Sequence, residues 1–435
     1  MSDSHLRPTD LRPPEFEVAE DDPFASDRLN RKESVESLCS VIGNAEGPLV
    51  VSVEGAYGTG KSSFLRMCAA RLGQLETQSV EFNAWQQGHT GRPLIDLVAA
   101  LAAKLEDQNS WETVKDTAKQ VGWRTATYLS RGLIAPNESD AASVFNDWAV
   151  IETNVSGFKE SLHAQVQECG GKLVIFVDEL DRCEPIYALD LLNKARHLFD
   201  VPGVVIVFGV NRTELGHAVE TQYGPDCKVD GYLRRFVDLS MQLRQPTNEE
   251  WATYVSHICV SVSERSAELR DASHAIRDLL LLLANNCGGR LRDVEQVVRH
   301  ANLALPPRNY DRSWPVWVIC LLTLRYVDRD SYERFVNGII DLWGLLQVMR
   351  EHFPIGGDGK QLAILDSIVL LMPGEGHVPH DKDEFVKQYT TIRQDKADDA
   401  LAAHGWYERF GGRSGDSGQQ TLEALHRTIE FAAPN

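Results

Sequence analysis

The sequence predicts an α/β protein, a three-layer parallel sheet followed by a C-terminal α-helical lid, and three observations carry that expectation. Residues 49–53, 173–177 and 204–210 are short, almost wholly apolar, β-branched runs of the kind that strands buried on both faces show. The first run opens directly into Gly55-Ala56-Tyr57-Gly58-Thr59-Gly60-Lys61-Ser62, a glycine-rich turn followed by a helix pattern. Residues 246–350 read as helix throughout, from Asn248-Glu249-Glu250-Trp251 to the segment around Phe335.

Along the chain, residues 1–20 carry charges and prolines without periodicity and lack a signal-peptide apolar region, so they read as a flexible arm. Residues 21–245 form the expected sheet domain, interrupted by a helical insertion at about 105–160. Residues 246–350 are the lid, and 351–435 alternate loops and short helices. Within the insertion, residues 111–116 and 143–148 are helical pieces separated by Pro136-Asn137-Glu138, a natural place for a variable lid or partner surface. Trp111, Trp123 and Trp148 would serve such a surface if exposed; aromatics on short helices also face cores.

The loop pattern G-x-x-x-x-G-K-[ST] has a physical reason at each fixed position. Glycines let the backbone turn tightly and bring successive N–H groups onto a phosphate, where a Cβ would obstruct. Lys61 reaches the β- and γ-phosphates as a point charge, Ser62 offers its hydroxyl to Mg²⁺, and the helix that begins near Gly60 and runs on through Ser63 aims its positive end at the anion. A glycine turn between strand and helix also occurs without nucleotide; Lys-Ser in register is what points to a nucleoside triphosphate.

Hydrolysis needs a metal-holding carboxylate and a group that polarises water, at the end of a neighbouring strand. The second apolar run ends in Asp178-Glu179-Leu180-Asp181-Arg182. Asp178 is the candidate for the Mg²⁺ shell, and Glu179 the candidate to orient the attacking water or accept its proton. A solvated acidic helix start is the plainer reading of the same residues. The third run ends in Asn211-Arg212, where Asn211 either hydrogen-bonds the attacking water as a sensor or caps the helix beginning at Thr213. Arg234 and Arg235 fit an arginine finger supplied to a neighbouring subunit, and equally a pair that complements a helix dipole or acids such as Asp238. Arg182 could orient Asp181 or reach a partner's phosphate.

Val177-Asp178-Glu179-Leu180-Asp181-Arg182-Cys183 resembles the signature of the KAP family of P-loop NTPases. Asp22-Pro23-Phe24 with Asp27-Arg28, Glu81-Phe82-Asn83-Ala84-Trp85 as a strand, and Asp230 to Phe236 resemble further family segments, so the likeness covers roughly residues 20–330. Arg290-Leu291-Arg292-Asp293-Val294 is similar to another, here with Leu291 where proline is usual. The resemblance implies a P-loop NTPase fold of the additional-strand type, like AAA+ and related signalling NTPases, with Arg292 as a nucleotide sensor on the lid. It implies ATP and Mg²⁺ as ligands and, for some members, a part in excluding bacteriophages. Many members carry transmembrane helices between the two nucleotide motifs. This chain departs there, because no run reaches the ~18 apolar residues that a spanning helix needs. The most apolar window, residues 314–324, reads as a buried helix.

Composition narrows the classes further. A net charge of -19, from 63 acidic against 44 basic residues, argues against attraction to anionic lipid and against direct nucleic-acid binding. An apolar fraction of 43% is that of a chain with a full core. The eight cysteines are dispersed with no C-x-x-C pair, which fits a reduced, cytoplasmic protein, and the thirteen histidines form no H-E-x-x-H pattern. His377 and His380 lie in a glycine- and proline-rich segment that reads as a loop.

The expected function is an ATPase that binds Mg-ATP, cleaves the β–γ phosphoanhydride bond and couples nucleotide state to the lid, to an oligomer of this chain or to a protein partner; the resemblance alone implies the output, a bacterial antiphage or stress-response role. The alternatives are a nucleotide-gated scaffold with little turnover and, against the charge balance, a DNA-acting ATPase.

Overall fold

The computed structural model describes residues 18–105, 111–131, 141–263, 290–303 and 314–340, with isolated positions at 277–284 and 344–348. The expectations for the arm before residue 18, for residues 351–435 and for His377 and His380 lie outside the described residues. The chain divides into two compact units, Phe16–Arg244 and a second that holds the chain from Gln245 onward.

The first unit is built on five parallel strands: β1 (Leu49–Glu54), β2 (Gln78–Asn83), β3 (Leu173–Asp178), β4 (Val204–Val210) and β5 (Leu239–Gln242), in the order β2-β3-β4-β1-β5. All four neighbouring pairs are parallel. Strand β4 therefore stands between the strand that feeds the glycine loop and the strand that ends in Asp178, which is the additional-strand arrangement. The three apolar runs became β1, β3 and β4. Strand β5, not foreseen, has only a weak period-two signal in Leu239, Met241 and Leu243, and at the sheet edge it is mostly exposed.

Alternation along the strands makes the three layers. Val51 and Val53 of β1, Val174 and Phe176 of β3, and Val205 and Val207 of β4 join one core with helices α1 (Lys32–Asn44) and α2 (Lys61–Gln74). The intervening residues Val50, Ile175, Val177, Ile206 and Phe208 join a second core on the opposite face, with Val80 and Phe82 of β2. Helix α1 presents Val35, Leu38, Cys39 and Ile42, an i, i+3, i+4, i+7 stripe, to the first core. Each such fully buried aliphatic or aromatic side chain is worth about 1.5–3 kcal/mol of transfer free energy.

The second core is covered by α4 (Pro93–Lys104), α6 (Ala141–Glu168), α7 (Pro185–Leu198) and α8 (Arg212–Tyr223), with the four-residue α3 (Ala84–Gln87) after β2. The insertion is two long helices, α5 (Trp111–Arg131) and α6, not short pieces. Helix α5 packs against both α4 and α6, and Phe158 of α6 meets Phe199 edge-to-face at 5.6 Å. Trp111 is 2% exposed, so it belongs to the core and not to a partner surface; the side chains of Trp123 and Trp148 lie outside the described residues. The Phe-Asn-Ala-Trp segment is strand only to Asn83, because the Asn83 carboxamide accepts from Gln86 N at 2.9 Å and starts α3 there.

In the second unit the described elements are helices: α10 (Asn248–Ser263), α11 (Leu291–Leu303), α12 (Trp314–Val327) and α13 (Arg329–Val336). Val318, Ile319, Leu321, Leu322 and Leu324 of α12 are buried, as that apolar window predicts. Among the described residues, no helix is long and apolar enough to cross a membrane.

Candidate functional site

Parallel strands all point their carboxyl ends the same way, so β1, β4 and β3 deliver Gly55, Asn211 and Asp178-Glu179 to one edge of the sheet. The glycine loop, residues 55–60, is a tight cradle. Gly58 and Gly60 adopt φ of +74° and +87°, values that a side chain resists. A Cβ on Gly55 would stand 2.8 Å from Thr59 Oγ1. Lys61 is nearly buried and donates from Nζ to the carbonyls of Gly55 at 2.8 Å and Ala56 at 3.0 Å, so its charge is held inside the loop's curve. Tyr57 leans across: Lys61 Nζ lies 5.5 Å and Arg182 Cζ 5.6 Å from its ring, and its hydroxyl donates to the Asp181 carbonyl at 3.2 Å. Burial, with the Asp181 charge, pushes the Tyr57 hydroxyl up to about 12.

The acidic turn is organised differently. Asp178 is raised above the usual carboxylate value by burial; a hydrogen bond from Ser62 and the Glu179 N–H, which donates to Asp178 Oδ1 at 2.9 Å, oppose that rise. Glu179 sits at φ +56°, a left-handed conformation uncommon for a residue with a Cβ. Its carboxylate is committed: Asn83 Nδ2 donates to Oε2 at 3.1 Å, and Arg182 pairs with Oε1 at 3.0 Å. Arg182 therefore serves Glu179, not Asp181. Asp181, raised by burial, accepts instead from the Asn211 N–H at 3.0 Å through Oδ2. Gly209 of β4 leaves the room that Asp178 uses, since a Cβ there would stand 3.1 Å from Asp178 Oδ1 and 2.6 Å from Leu65 Cδ1.

Asn211 caps α8, its Oδ1 accepting from Thr213 N at 3.2 Å, which leaves the amide Nδ2 for a further partner. Arg212 pairs with Glu54 at 2.8 Å and, through two nitrogens, with Asp230 at 2.8 and 3.1 Å. Arg234 and Arg235 are exposed at and just past the end of α9 (Val229–Leu233), with Arg235 against the Tyr232 ring at 5.9 Å. The acid expected for them, Asp238, is taken by Arg196 at 2.7 and 2.8 Å. Arg292 is exposed in the first turn of α11, in the second unit, so its place relative to the loop is not part of this geometry.

The donor set fits Mg²⁺. Ser62 and Asp178 are two hard oxygen ligands already hydrogen-bonded together beside a cradle that only glycines allow, and this ion takes few protein oxygens and completes its octahedron with water and phosphate. Asn83, Asp181 and Gly209 were not legible as site residues, because each acts through a neighbour from another strand.

Fold and loop together define an additional-strand P-loop protein. The KAP family P-loop domain model matches residues 31–305, and the chain belongs to that family. It is similar to the phage T7 exclusion protein of Escherichia coli K12, 24% identical over an alignment of 233 residues; the match covers 46% of this chain and 31% of that relative's length. Among solved structures it is similar to the Aeropyrum pernix ORC2 protein (12% identity, TM-score 0.38, 93% and 94% of the two chains). The Cdc6p of Pyrobaculum aerophilum follows (13% identity, TM-score 0.34, 97% and 88%). At such scores these two likenesses decide nothing about chemistry or partners.

Proposed function

We propose that this chain binds Mg-ATP and hydrolyses its β–γ bond, and that nucleotide state drives the second unit, an oligomer or a protein partner in bacterial antiphage defence. The observation that carries the reading is the convergence of Lys61, Ser62, Asp178, Glu179 and Asn211 at the carboxyl ends of three adjacent strands. Loop N–H groups and the start of α2 hold the β-phosphate, and Lys61 Nζ exchanges two loop carbonyls for phosphate oxygens. Ser62 and Asp178 would hold Mg²⁺, which supplies charge neutralisation on the β- and γ-oxygens.

A water oxygen attacks the γ-phosphorus, the bond to the bridging oxygen breaks, ADP leaves, and the water proton passes to Glu179 or through it to solvent. Asn211, whose Oδ1 serves the helix cap, offers its Nδ2 to that water. Arg234 and Arg235, exposed and ion-paired with no acid among the described residues, suit a contact with a neighbouring subunit's γ-phosphoryl; Arg292 suits a sensor role from the second unit. The family relationship and the exclusion-protein relative support antiphage defence as the output. Steady-state phosphate release by the native protein, Lys61→Ala and Glu179→Gln across protein concentrations tests the reading. Turnover lost in both variants is expected, with specific activity rising with concentration; ATP binding with no native turnover would overturn it.

One observation favours a second reading, a nucleotide-gated scaffold with little turnover: Glu179 is tied to both Asn83 and Arg182. Plaque counts on cells carrying Glu179→Gln separate the two. Lost protection supports the hydrolase; full protection supports the scaffold.

A further inference from the structure

Arg212 follows the candidate sensor Asn211, yet its guanidinium turns away from the phosphate cradle. Its Nη1 donates to Glu54 Oε1 at 2.8 Å, and Nε and Nη2 donate together to Asp230 Oδ1 at 3.1 and 2.8 Å. Glu54 is the last residue of β1, immediately before Gly55, and is 8% exposed. The same Oε1 accepts from Ser52 Oγ at 3.0 Å, and Ser52 also bonds Ser240 of β5 at 2.9 Å. Asp230 lies on α9, a five-residue helix that ends where Arg234 and Arg235 begin. One cation thus joins the strand that feeds the phosphate loop, the start of α8, and the helix that presents the arginine pair.

Packing beneath that helix is incomplete. A cavity of about 20 Å³ lies among Leu215, Leu233, Val237, Phe208 and Val210, with Glu54 and Arg212 at its polar side. Room of that size holds about one water; α9 is seated by buried Leu233 and by Tyr232, whose hydroxyl bonds that of Tyr223 at 3.0 Å, and the Arg212 ion pairs tie its polar side to β1 and α8. A buried carboxylate deprived of its cation is costly, whereas the exposed Arg212–Asp230 bond is weak and can exchange. The triad is firm at the loop end and yielding at the α9 end.

We propose that Arg212 is a positioning residue that sets where α9, and with it Arg234 and Arg235, stands relative to the phosphate loop, and that it does not touch nucleotide. The proposal rests on the nucleotide-binding reading above; its arms include readouts that do not need turnover.

The test compares Arg212→Met, Arg212→Lys, Asp230→Asn, and Arg212→Met combined with Glu54→Gln, the last removing the stranded buried charge if the single variant fails to fold. Hydrogen exchange is followed at Tyr232 and Arg234, whose N–H groups bond Lys228 O and Asp230 O. ATP and ADP affinities are measured with a fluorescent nucleotide analogue, and kcat and KM where turnover exists.

Asp230→Asn and the double variant are expected to speed exchange in α9 about fivefold, the scale of one exposed ion pair. ATP and ADP affinities should stay within about threefold of native, and kcat should fall with KM nearly unchanged. Arg212→Lys should recover only part of the loss, since an ammonium cannot serve both acids with the fork's geometry. A selective loss of ATP over ADP affinity in Arg212→Met, or α9 exchange unchanged in all variants, overturns the proposal. If the native protein binds nucleotide but releases no phosphate, hydrolysis fails while the exchange and affinity arms still decide about Arg212.

Discussion

The glycine loop and the acidic turn face each other across β4, and they are built on opposite principles. The loop is local: its shape comes from glycines at φ +74° and +87° and from a lysine that bonds carbonyls five and six residues away. The turn is collective, since Glu179 is held by Asn83 from β2, Asp181 by the Asn211 N–H after β4, and Asp178 by Ser62 from α2. Substitutions in the loop should therefore change affinity and those in the turn should change rate. Tyr57 is the direct bridge, stacking on Arg182 while its hydroxyl reaches Asp181.

The largest expected effect breaks the two halves apart. Lys61→Ala should lose both ATP affinity and phosphate release, the latter by at least about 100-fold, whereas Glu179→Gln should lose release to a like degree and keep affinity. Titration with a fluorescent ATP analogue beside a phosphate assay reads both; equal affinity losses would mean that the halves are not separable. Gly60→Ala comes next: strain of about 1 kcal/mol at φ +87° should weaken nucleotide binding several-fold and lower the melting temperature of the free protein.

Asp178→Asn should move stability the other way. Burial holds Asp178 above its ordinary 3.8, so the folded state prefers the protonated acid; the stability this group contributes is present below the unfolded value and lost as pH rises through the raised one. Removing the charge should raise the melting temperature of the nucleotide-free protein at neutral pH, flatten its fall just above pH 3.8, and abolish Mg²⁺-dependent turnover. A lower melting temperature at pH 7 would show that the Ser62 and Glu179 hydrogen bonds outweigh burial.

Asn83→Ala removes one restraint from Glu179, and a basal kcat about threefold higher is expected, with KM unchanged. A fall in kcat would make Asn83 an aid to the base and not a restraint. The smallest effect is Tyr57→Phe, which deletes only the hydroxyl bond to Asp181: about 1 kcal/mol of stability and less than threefold in KM. A larger change in kcat would make the bridge part of the coupling between the halves.

Local physics made half of this molecule legible in the chain itself. A turn that only glycine can make, a lysine and serine in register behind it, and apolar runs long enough for a strand are each decided within ten residues, so the loop and strands β1, β3 and β4 could be read directly. The window at 314–324 was equally plain, since a helix apolar all round has nowhere to go but a core.

The tertiary structure decided the rest, because it depends on which strand ends stand side by side. Nothing within the chain near Asn83 says that its amide meets a carboxylate 96 residues on, nor that Arg212 looks to Glu54, 158 residues back. Trp111 illustrates the same limit: its spacing permits a surface or a core, and only the packing of α5 against α4 and α6 buries it. Sequence alone determined which groups are the candidates to hold a phosphate and a metal. The fold determined which of them hold one another, since side-chain partnership across a sheet is a property of strand order and not of any single strand.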